Sequence, residues 1–107
     1  MTASSKSVAV SAIVNFPVWE AVRSVAKAEH RTISDLLRPL VRAAIERGEV
    51  MIASDEDVAG GMPIAVRLGE VDRKALRVMA AKRGVNVSRV LAGIIVQAYN
   101  PEGPPIG

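Results

Sequence analysis

The chain has 107 residues, of which 50% are hydrophobic, three are aromatic, one is histidine and none is cysteine. This length allows one compact domain or two small units that share a core, and the lack of cysteine excludes disulfides and thiolate metal sites. The net charge of +3 is uneven, since residues 1–47 and 62–107 each hold seven Lys or Arg, whereas residues 48–61 hold four acidic residues and no basic one. Two basic segments on either side of an acidic one favour a polyanionic partner.

The same composition argues against several classes of function. A single histidine excludes a histidine metal cluster and most His-based catalytic sets, and the chain has no glycine-rich phosphate loop. We therefore expect neither an enzyme nor a bound metal or cofactor. No apolar stretch approaches the roughly 20 residues of a membrane span, and MTASSKSVAV lacks the apolar region of a secretory signal. These features predict a cytoplasmic protein without a membrane partner.

The first predicted elements are a strand and a helix. Residues 8–14 (VAVSAIV) are rich in β-branched side chains and predict a short strand. Asn15-Phe16-Pro17 begins a helix that runs to about Glu29, because a proline in the first turn lacks only an N–H that would have no partner there. His30 follows as a turn residue in the left-handed conformation, which histidine tolerates better than most residues.

A second helix is predicted from about Ile33 to Arg47. Thr32 or Ser34 is the candidate N-cap, because a hydroxyl there can accept a hydrogen bond from a free backbone N–H. Pro39 lies in the interior of this helix and should kink it. A later start would remove that problem and shorten the helix.

Residues 48–61 (GEVMIASDEDVAGG) form an acidic connector that has no clear periodicity and ends in two glycines. About 14 extended residues span more than about 40 Å, which is enough to carry the chain to the next strand. We expect Asp55-Glu56-Asp57 to be a solvated linker. The alternative is that this acidic run covers a basic surface of the same chain.

The next segment returns to the order of the first. Residues 62–68 (MPIAVRL) predict a strand, which Pro63 restricts to a strand start or an edge. A helix follows over residues 70–83, with acidic residues at the positive end of its dipole. Gly84 then supplies a left-handed turn, at the place that His30 holds in the first half.

The last predicted helix covers residues 87–99, with Asn86 or Ser88 as its cap. It is apolar almost all round, which is typical of a helix at the centre of a fold. Ala92-Gly93 would allow a neighbouring helix to approach its backbone closely. The final residues 100–107 (NPEGPPIG) contain too much Pro and Gly for a helix and predict a flexible tail.

The two halves form a repeat in which residue n matches residue n+54 in hydrophobic pattern, without a gap. The matching positions are Val10, Ala12, Val14, Val22, Val25, Ala26, Ser34, Leu37, Val41 and Ala44 with Ile64, Val66, Leu68, Leu76, Met79, Ala80, Ser88, Leu91, Ile95 and Ala98. One strand with two short helices cannot bury its apolar faces alone. Two copies can, if the strands pair over four interlocking helices. The predicted fold is mainly α with a short two-stranded antiparallel ribbon, in which units 8–47 and 62–99 form a single-chain pseudo-dimer with one core.

The second unit resembles the ribbon-helix-helix family of the MetJ/Arc type. The resemblance rests on VRL closing the strand, Leu76 and Ala80 in the first helix, Gly84, and the polar turn at Asn86 and Ser88. It covers nearly all of residues 62–99. Residues 8–47 fit the pattern less closely, since a histidine replaces the glycine and a proline interrupts the second helix. The resemblance implies a tandem ribbon-helix-helix protein.

The resemblance also implies an interface with double-stranded DNA, in which the ribbon enters the major groove and the second helices present their N-termini to phosphates. The implied base contacts are the outward strand positions Ala9, Ser11, Ile13, Pro63, Ala65 and Arg67. The implied phosphate contacts are Thr32, Ser34, Asn86, Ser88, Arg31, Arg83 and Arg89, with Lys6 in an N-terminal arm. Among the implied base contacts, Arg67 alone could make a bidentate contact with guanine, so the expected readout is asymmetric.

The expected function is a sequence-specific DNA-binding transcriptional regulator, a repressor in a plasmid or phage setting, as the resemblance implies. The alternative is an antitoxin or protein-binding adaptor on the same fold, with weak or no DNA binding and a protein partner such as a toxin. The uncharged first strand, Trp19 and the segments expected to be mobile motivate that alternative. We expect a monomer that acts as a pseudo-dimer, with a higher homo-oligomer through the apolar helix 87–99 as a further possibility.

Overall fold

The computed structural model of the protein describes residues 8–99, which form two strands and four helices. The elements in chain order are β1 (Val8–Val14), α1 (Phe16–Ala28), α2 (Ile33–Arg47), β2 (Met62–Leu68), α3 (Glu70–Arg83) and α4 (Val87–Tyr99). These bounds agree with the predicted elements to within a residue. The coarse class, mainly helical with a two-stranded antiparallel sheet, is confirmed.

β1 and β2 pair along their whole length as an antiparallel ribbon, with Ser11 opposite Ala65 at its centre. One face of the ribbon is buried, because side chains alternate between the two faces of a strand. Ala12, Val14, Ile64, Val66 and Leu68 lie on the buried face. The other face is directed away from the helices and contains the predicted base-contact positions.

The core lies between the ribbon and the helices, and both halves of the chain contribute to it. α2 packs against β2 and α4 against β1, so each second helix lies under the strand of the other half. The largest fully buried side chains include Leu37, Leu68, Leu76, Leu91 and Ile95. Burying each such side chain stabilises the fold by roughly 1.5–3 kcal/mol. The two halves therefore depend on each other for their apolar contacts.

Local hydrogen bonds set the helix ends. The side chain of Asn15 accepts the N–H of Val18 at 3.0 Å, and Thr32 Oγ1 accepts the N–H of Asp35 at 3.0 Å. Thr32 is thus the cap of α2, and Ser34 is not. His30 and Gly84 have φ values of 57° and 69°, as predicted for the turns between the paired helices.

Pro39 lies inside α2, and the helix continues past it from Ile33 to Arg47. A proline has no N–H, so the carbonyl oxygen of Asp35, four residues earlier, loses its helical partner. Arg31 Nη2 donates to that oxygen at 2.7 Å. A side chain from the preceding turn therefore replaces the missing backbone hydrogen bond, and the shorter helix considered as an alternative does not occur.

The connector is only in part the solvated linker that its composition predicts, because Asp55 and Glu56 are exposed but two of its apolar residues are not. Val50 and Ala53 are buried, with 6% and 2% of their surfaces exposed. A Cβ added to Gly93 of α4 would lie 1.6 Å from the carbonyl oxygen of Met51. The close approach expected at Gly93 therefore occurs, but the neighbour is the connector backbone and not a helix. Hydrophobic residues inside the acidic segment hold it against α4.

Candidate nucleic-acid interface

The outward face of the ribbon has one charged end and one apolar end. The register places Arg67 opposite Ala9, Ala65 opposite Ser11, and Pro63 opposite Ile13. Ala9, Ser11, Pro63, Ala65 and Arg67 are exposed, and Ile13 is half-buried. A two-stranded ribbon of this kind fits the width of the major groove. Arg67 is the one charged side chain within β1 and β2 and provides five N–H donors.

Two side chains near the start of α2 hydrogen-bond to the backbone N–H and carbonyl oxygen of Arg67 and so hold this part of β2. Ser34 Oγ accepts the Arg67 N–H at 2.9 Å, and Arg38 Nη1 donates to the Arg67 carbonyl oxygen at 3.5 Å. The predicted phosphate contact Ser34 thus has a structural role in the ribbon. We call this region, formed by Ser34, Arg38 and Arg67, the α2 end.

Arg38 is a candidate DNA contact that the sequence prediction missed. Its guanidinium also pairs with Asp35, and 41% of its side chain is exposed. The sequence did contain a signal, because Arg38 lies one helical turn after Ser34 and therefore on the same face of α2. A second cation beside Arg67 strengthens the positive charge of the α2 end, while Asp35 reduces it.

Arg31, another predicted phosphate contact, is bonded to neighbouring residues of its own chain. Besides its bond to the Asp35 carbonyl, it lies 3.4 Å from Glu29 Oε1. Burial raises the pKa of the nearby Tyr99 phenol above its ordinary value; the Glu29 carboxylate raises this pKa further and Arg31 lowers it. Arg31 therefore stabilises the turn before α2, in addition to any contact with a ligand.

At the start of α4 the connector accepts hydrogen bonds from the basic side chain of Arg89. Asn86 Oδ1 accepts the N–H of Arg89 at 2.9 Å, as predicted for a cap. Arg89 Nη1 donates to the Ala53 carbonyl oxygen at 2.9 Å, and Nη2 donates to Asp55 Oδ1 at 2.9 Å. The Ala53 N–H in turn donates to the Arg89 carbonyl oxygen at 3.4 Å. The acidic run thus contacts a basic residue of its own chain, as the alternative interpretation of this segment expected.

The connector is also fixed to the far end of the ribbon. The Ser54 N–H donates to Asp57 Oδ2 at 2.8 Å, and the Asp57 N–H donates to Ser54 Oγ at 3.2 Å, which closes a turn. The Asn15 N–H, directly after β1, donates to the Asp57 carbonyl oxygen at 2.7 Å. Asn15 follows Val14, which lies at the opposite end of the ribbon from Arg67. We call this region, formed by Asn86, Arg89 and residues 53–57, the α4 end.

The remaining predicted phosphate contacts lie in different environments. Thr32 is exposed and Ser88 is half-buried at the helix starts. Arg83 Nη2 donates to the Val50 carbonyl oxygen at 3.1 Å, so its guanidinium holds the beginning of the connector. Lys6 lies outside the described residues. The predicted residues are therefore divided between different parts of the molecule, and all three predicted arginines outside the strands, Arg31, Arg83 and Arg89, also bond to backbone carbonyl oxygens.

A separate apolar surface is found around α3. A groove of about 350 Å³ is lined by Ile45, Gly48, Val50, Ala75, Val78, Met79, Lys82 and Arg83. Val71 and Val78 on α3 are 78% and 53% exposed. Trp19, the side chain considered for partner binding, is instead half-buried, 5.6 Å from the Phe16 ring and stacked on Arg23. The stronger candidate for a protein-binding surface is therefore the groove, which composition alone did not indicate.

Comparisons with other proteins identify no relative. A scan against protein-family models, a search of curated proteins and a search of solved structures each found no match. Within residues 8–99, no helix combines the length and apolar character needed to cross a membrane. The same part of the chain contains no group of three or more His, Cys, Asp or Glu residues placed to hold a metal ion.

Proposed function

We propose that the protein is a sequence-specific DNA-binding regulator, acting as a repressor, in which two ribbon-helix-helix units in one chain form a pseudo-dimer. The observation that carries the proposal is the ribbon itself. It is two-stranded, its outward face is free of helices, and its charged residue, Arg67, is held by backbone hydrogen bonds from α2. A positioned arginine on a ribbon of this width suits a bidentate contact with guanine in the major groove.

The register of the ribbon supports the pseudo-dimer. Ser11 and Ala65, which pair at its centre, are 54 residues apart, and this is the spacing of the sequence repeat. Ala9 pairs with Arg67, and their repeat counterparts Pro63 and Ile13 pair with each other. A pairing that maps onto itself under the repeat is the arrangement of a two-fold symmetric dimer.

Repression follows from occupancy of the groove. A ribbon placed in the major groove, with backbone N–H groups and arginines on the flanking phosphates, excludes other proteins from the same DNA segment. The small residues Ala9, Ser11 and Ala65 let the ribbon approach the base edges, and the methyl groups of Ala9 and Ala65 suit thymine methyls. Arg67 supplies the strongest discrimination, and it lies at one end, so the bound sequence should be asymmetric.

The direct test is a fluorescence-anisotropy titration with DNA selected from a random-sequence library. We expect binding that weakens as salt increases, because each phosphate contact releases counterions. Selected sequences should show a preference for guanine at one end of the site. Absent binding, or binding that does not change with salt, would contradict the proposal.

A second candidate function, a protein-binding adaptor, is favoured by the groove beside α3. Its floor is apolar, and Lys82 and Arg83 line it with positive charge. An acidic segment with an apolar face, such as part of a toxin or another partner, suits this combination. Co-purification of the product of an adjacent gene, lost when Val78 is replaced by Asp, would support this function. If the same product co-purifies equally with Val78→Asp, the groove is not its binding site.

A further inference from the structure

The two ends of the ribbon differ in the charged side chains that lie at the adjacent helix starts. At the α2 end, Arg38 bonds to the Arg67 carbonyl oxygen and pairs with Asp35. At the α4 end, Arg89 lies beside the turn that carries Asp55, Glu56 and Asp57. Counting residues 8–99 only, these contacts join two arginines and one carboxylate at the α2 end, whereas three carboxylates accompany one arginine at the α4 end. A polyanion is attracted to the first end and repelled from the second.

The contact at the α4 end has the chemistry of a phosphate contact. A carboxylate oxygen of Asp55 lies 2.9 Å from Nη2 of Arg89, which is a charge-assisted hydrogen bond of the type that arginine makes with phosphate. The Ala53 carbonyl oxygen takes a second donor of the same guanidinium at 2.9 Å. The connector thus uses the donors that a DNA phosphate would need there.

Several independent contacts keep the connector in this position. Its backbone lies against Gly93, Ala53 is buried, and the Asp57 carbonyl oxygen accepts the N–H of Asn15. The Asp55 side chain, by contrast, is 96% exposed, and an ion pair that exposed contributes little to stability. The Asp55 carboxylate can therefore be changed without disturbing the fold.

From these contacts we infer that DNA docks at the α2 end alone and that the acidic connector acts as an internal substitute for phosphate at the α4 end. The inference rests on the proposed DNA-binding function and specifies which part of the surface carries it. The pseudo-dimer then contacts DNA as half of a symmetric dimer does. The connector lowers the affinity, since it removes one phosphate contact and adds negative charge near the DNA.

The test compares Asp55→Asn with Glu56→Gln, a matched variant that removes one negative charge from the neighbouring residue. Glu56 makes no ion pair within residues 8–99. Each protein is titrated with a labelled mixed-sequence duplex of about two helical turns over a range of salt concentrations. Asp55→Asn should bind about threefold tighter or more at low salt, and its slope of log K against log salt should become steeper by about one. Glu56→Gln should change the affinity by less than about twofold and leave that slope unchanged.

The outcomes separate this inference from the proposed function. If the wild-type protein binds DNA and the two variants behave alike, the inference is overturned and the proposed function stands. If neither the wild-type protein nor Asp55→Asn binds the duplex, both fail. If the wild-type protein binds DNA and Asp55→Asn alone binds it more tightly, with the steeper slope, both are supported.

Hydrogen exchange of the wild-type protein provides a second measurement that needs no variant. The Ala53 and Asp57 amides, which are hydrogen-bonded within the α4 end, should keep their protection when DNA is added. Loss of that protection would mean that DNA displaces the connector, which would overturn docking at the α2 end alone.

Discussion

Arg67 shows how the surroundings of one residue give an exposed side chain a defined position. Its N–H bonds to Ser34 and its carbonyl oxygen accepts from Arg38, both on α2. The backbone from which the guanidinium projects is therefore fixed by a helix and not by the ribbon alone. Positioning of this kind matters for base contacts, which depend on the geometry of two parallel hydrogen bonds.

Replacing Arg67 tests its role in base recognition. The selected site is compared with a second site in which the guanine is changed to another base. Arg67→Ala should lower the difference in binding free energy between these two sites by about 1–3 kcal/mol for each lost base contact. Arg67→Lys keeps the charge but not the paired donors, so it should keep the salt dependence and lose the discrimination. Competition titrations with the two duplexes measure both quantities. Unchanged discrimination in Arg67→Ala would refute a base contact.

Gly93 is needed for a different reason, because the connector backbone fills the space that a side chain would take. A Cβ there would lie 1.6 Å from the Met51 carbonyl oxygen and 2.7 Å from its carbonyl carbon. Neither atom belongs to a flexible side-chain end that could move aside easily. The fit between α4 and the connector therefore depends on the absence of a side chain.

We expect Gly93→Ala to lower the free energy of unfolding by about 1–3 kcal/mol, the usual cost of overpacking. Gly69→Ala is the matched control, because a Cβ there meets nothing within 4 Å and the φ of Gly69 is −72°. Urea denaturation followed by circular dichroism measures both variants. Equal stability of Gly93→Ala and wild type would show that the connector is not packed on α4.

At the scale of the element, α2 is a helix whose continuity depends on a side chain from outside it. Pro39 leaves the Asp35 carbonyl oxygen without an N–H partner, and Arg31 fills that place. Arg31 also illustrates why a basic residue near a helix start is an ambiguous sign of phosphate binding. The same guanidinium can serve the helix and remain 41% exposed.

A double-mutant cycle tests the link between these two residues. Arg31→Ala should destabilise the wild-type protein by about 0.5–1.5 kcal/mol, because it leaves the Asp35 carbonyl without its hydrogen bond. In a Pro39→Ala background the restored N–H can bond to that carbonyl, so the same substitution should cost less. The coupling is read from urea denaturation of the four proteins. Additive effects would show that Arg31 does not compensate for Pro39.

At the scale of the whole molecule, the two halves are joined through a common core rather than as separate units. Each second helix packs under the strand of the other half, and α4 has a continuous buried segment from Val90 to Val96. The ribbon joins one strand from each half within a single chain. An arrangement of this kind pairs the two strands and buries the apolar faces without a second chain.

Light scattering coupled to size exclusion is the corresponding test. We expect a monomer at all accessible concentrations, because α4 is already buried within one chain and has little surface left for pairing. A dilution series controls for weak association. A stable dimer would contradict this arrangement and would indicate that strands pair between chains.

The sequence by itself determined the elements and the two faces of the ribbon. The change in hydrophobic period from two residues to 3.6 marked the bounds of β1, β2 and the helices. The turn and cap residues form bonds or turns within a few residues of their own positions, as Gly84, His30, Thr32 and Asn86 do. Such local effects can be inferred from spacing. The alternation of Ala9, Ser11, Ala65 and Arg67 on the outward face could be predicted for the same reason.

Only the tertiary structure decided what surrounds the candidate site. Three of its hydrogen bonds join residues more than 30 positions apart, namely Ser34 with Arg67, Arg83 with Val50, and Arg89 with Asp55. No periodicity connects such pairs, because they come together only when the core has brought their elements into contact. The placement of the acidic connector on α4, and with it the inequality of the two ends of the ribbon, is therefore a property of the packed molecule.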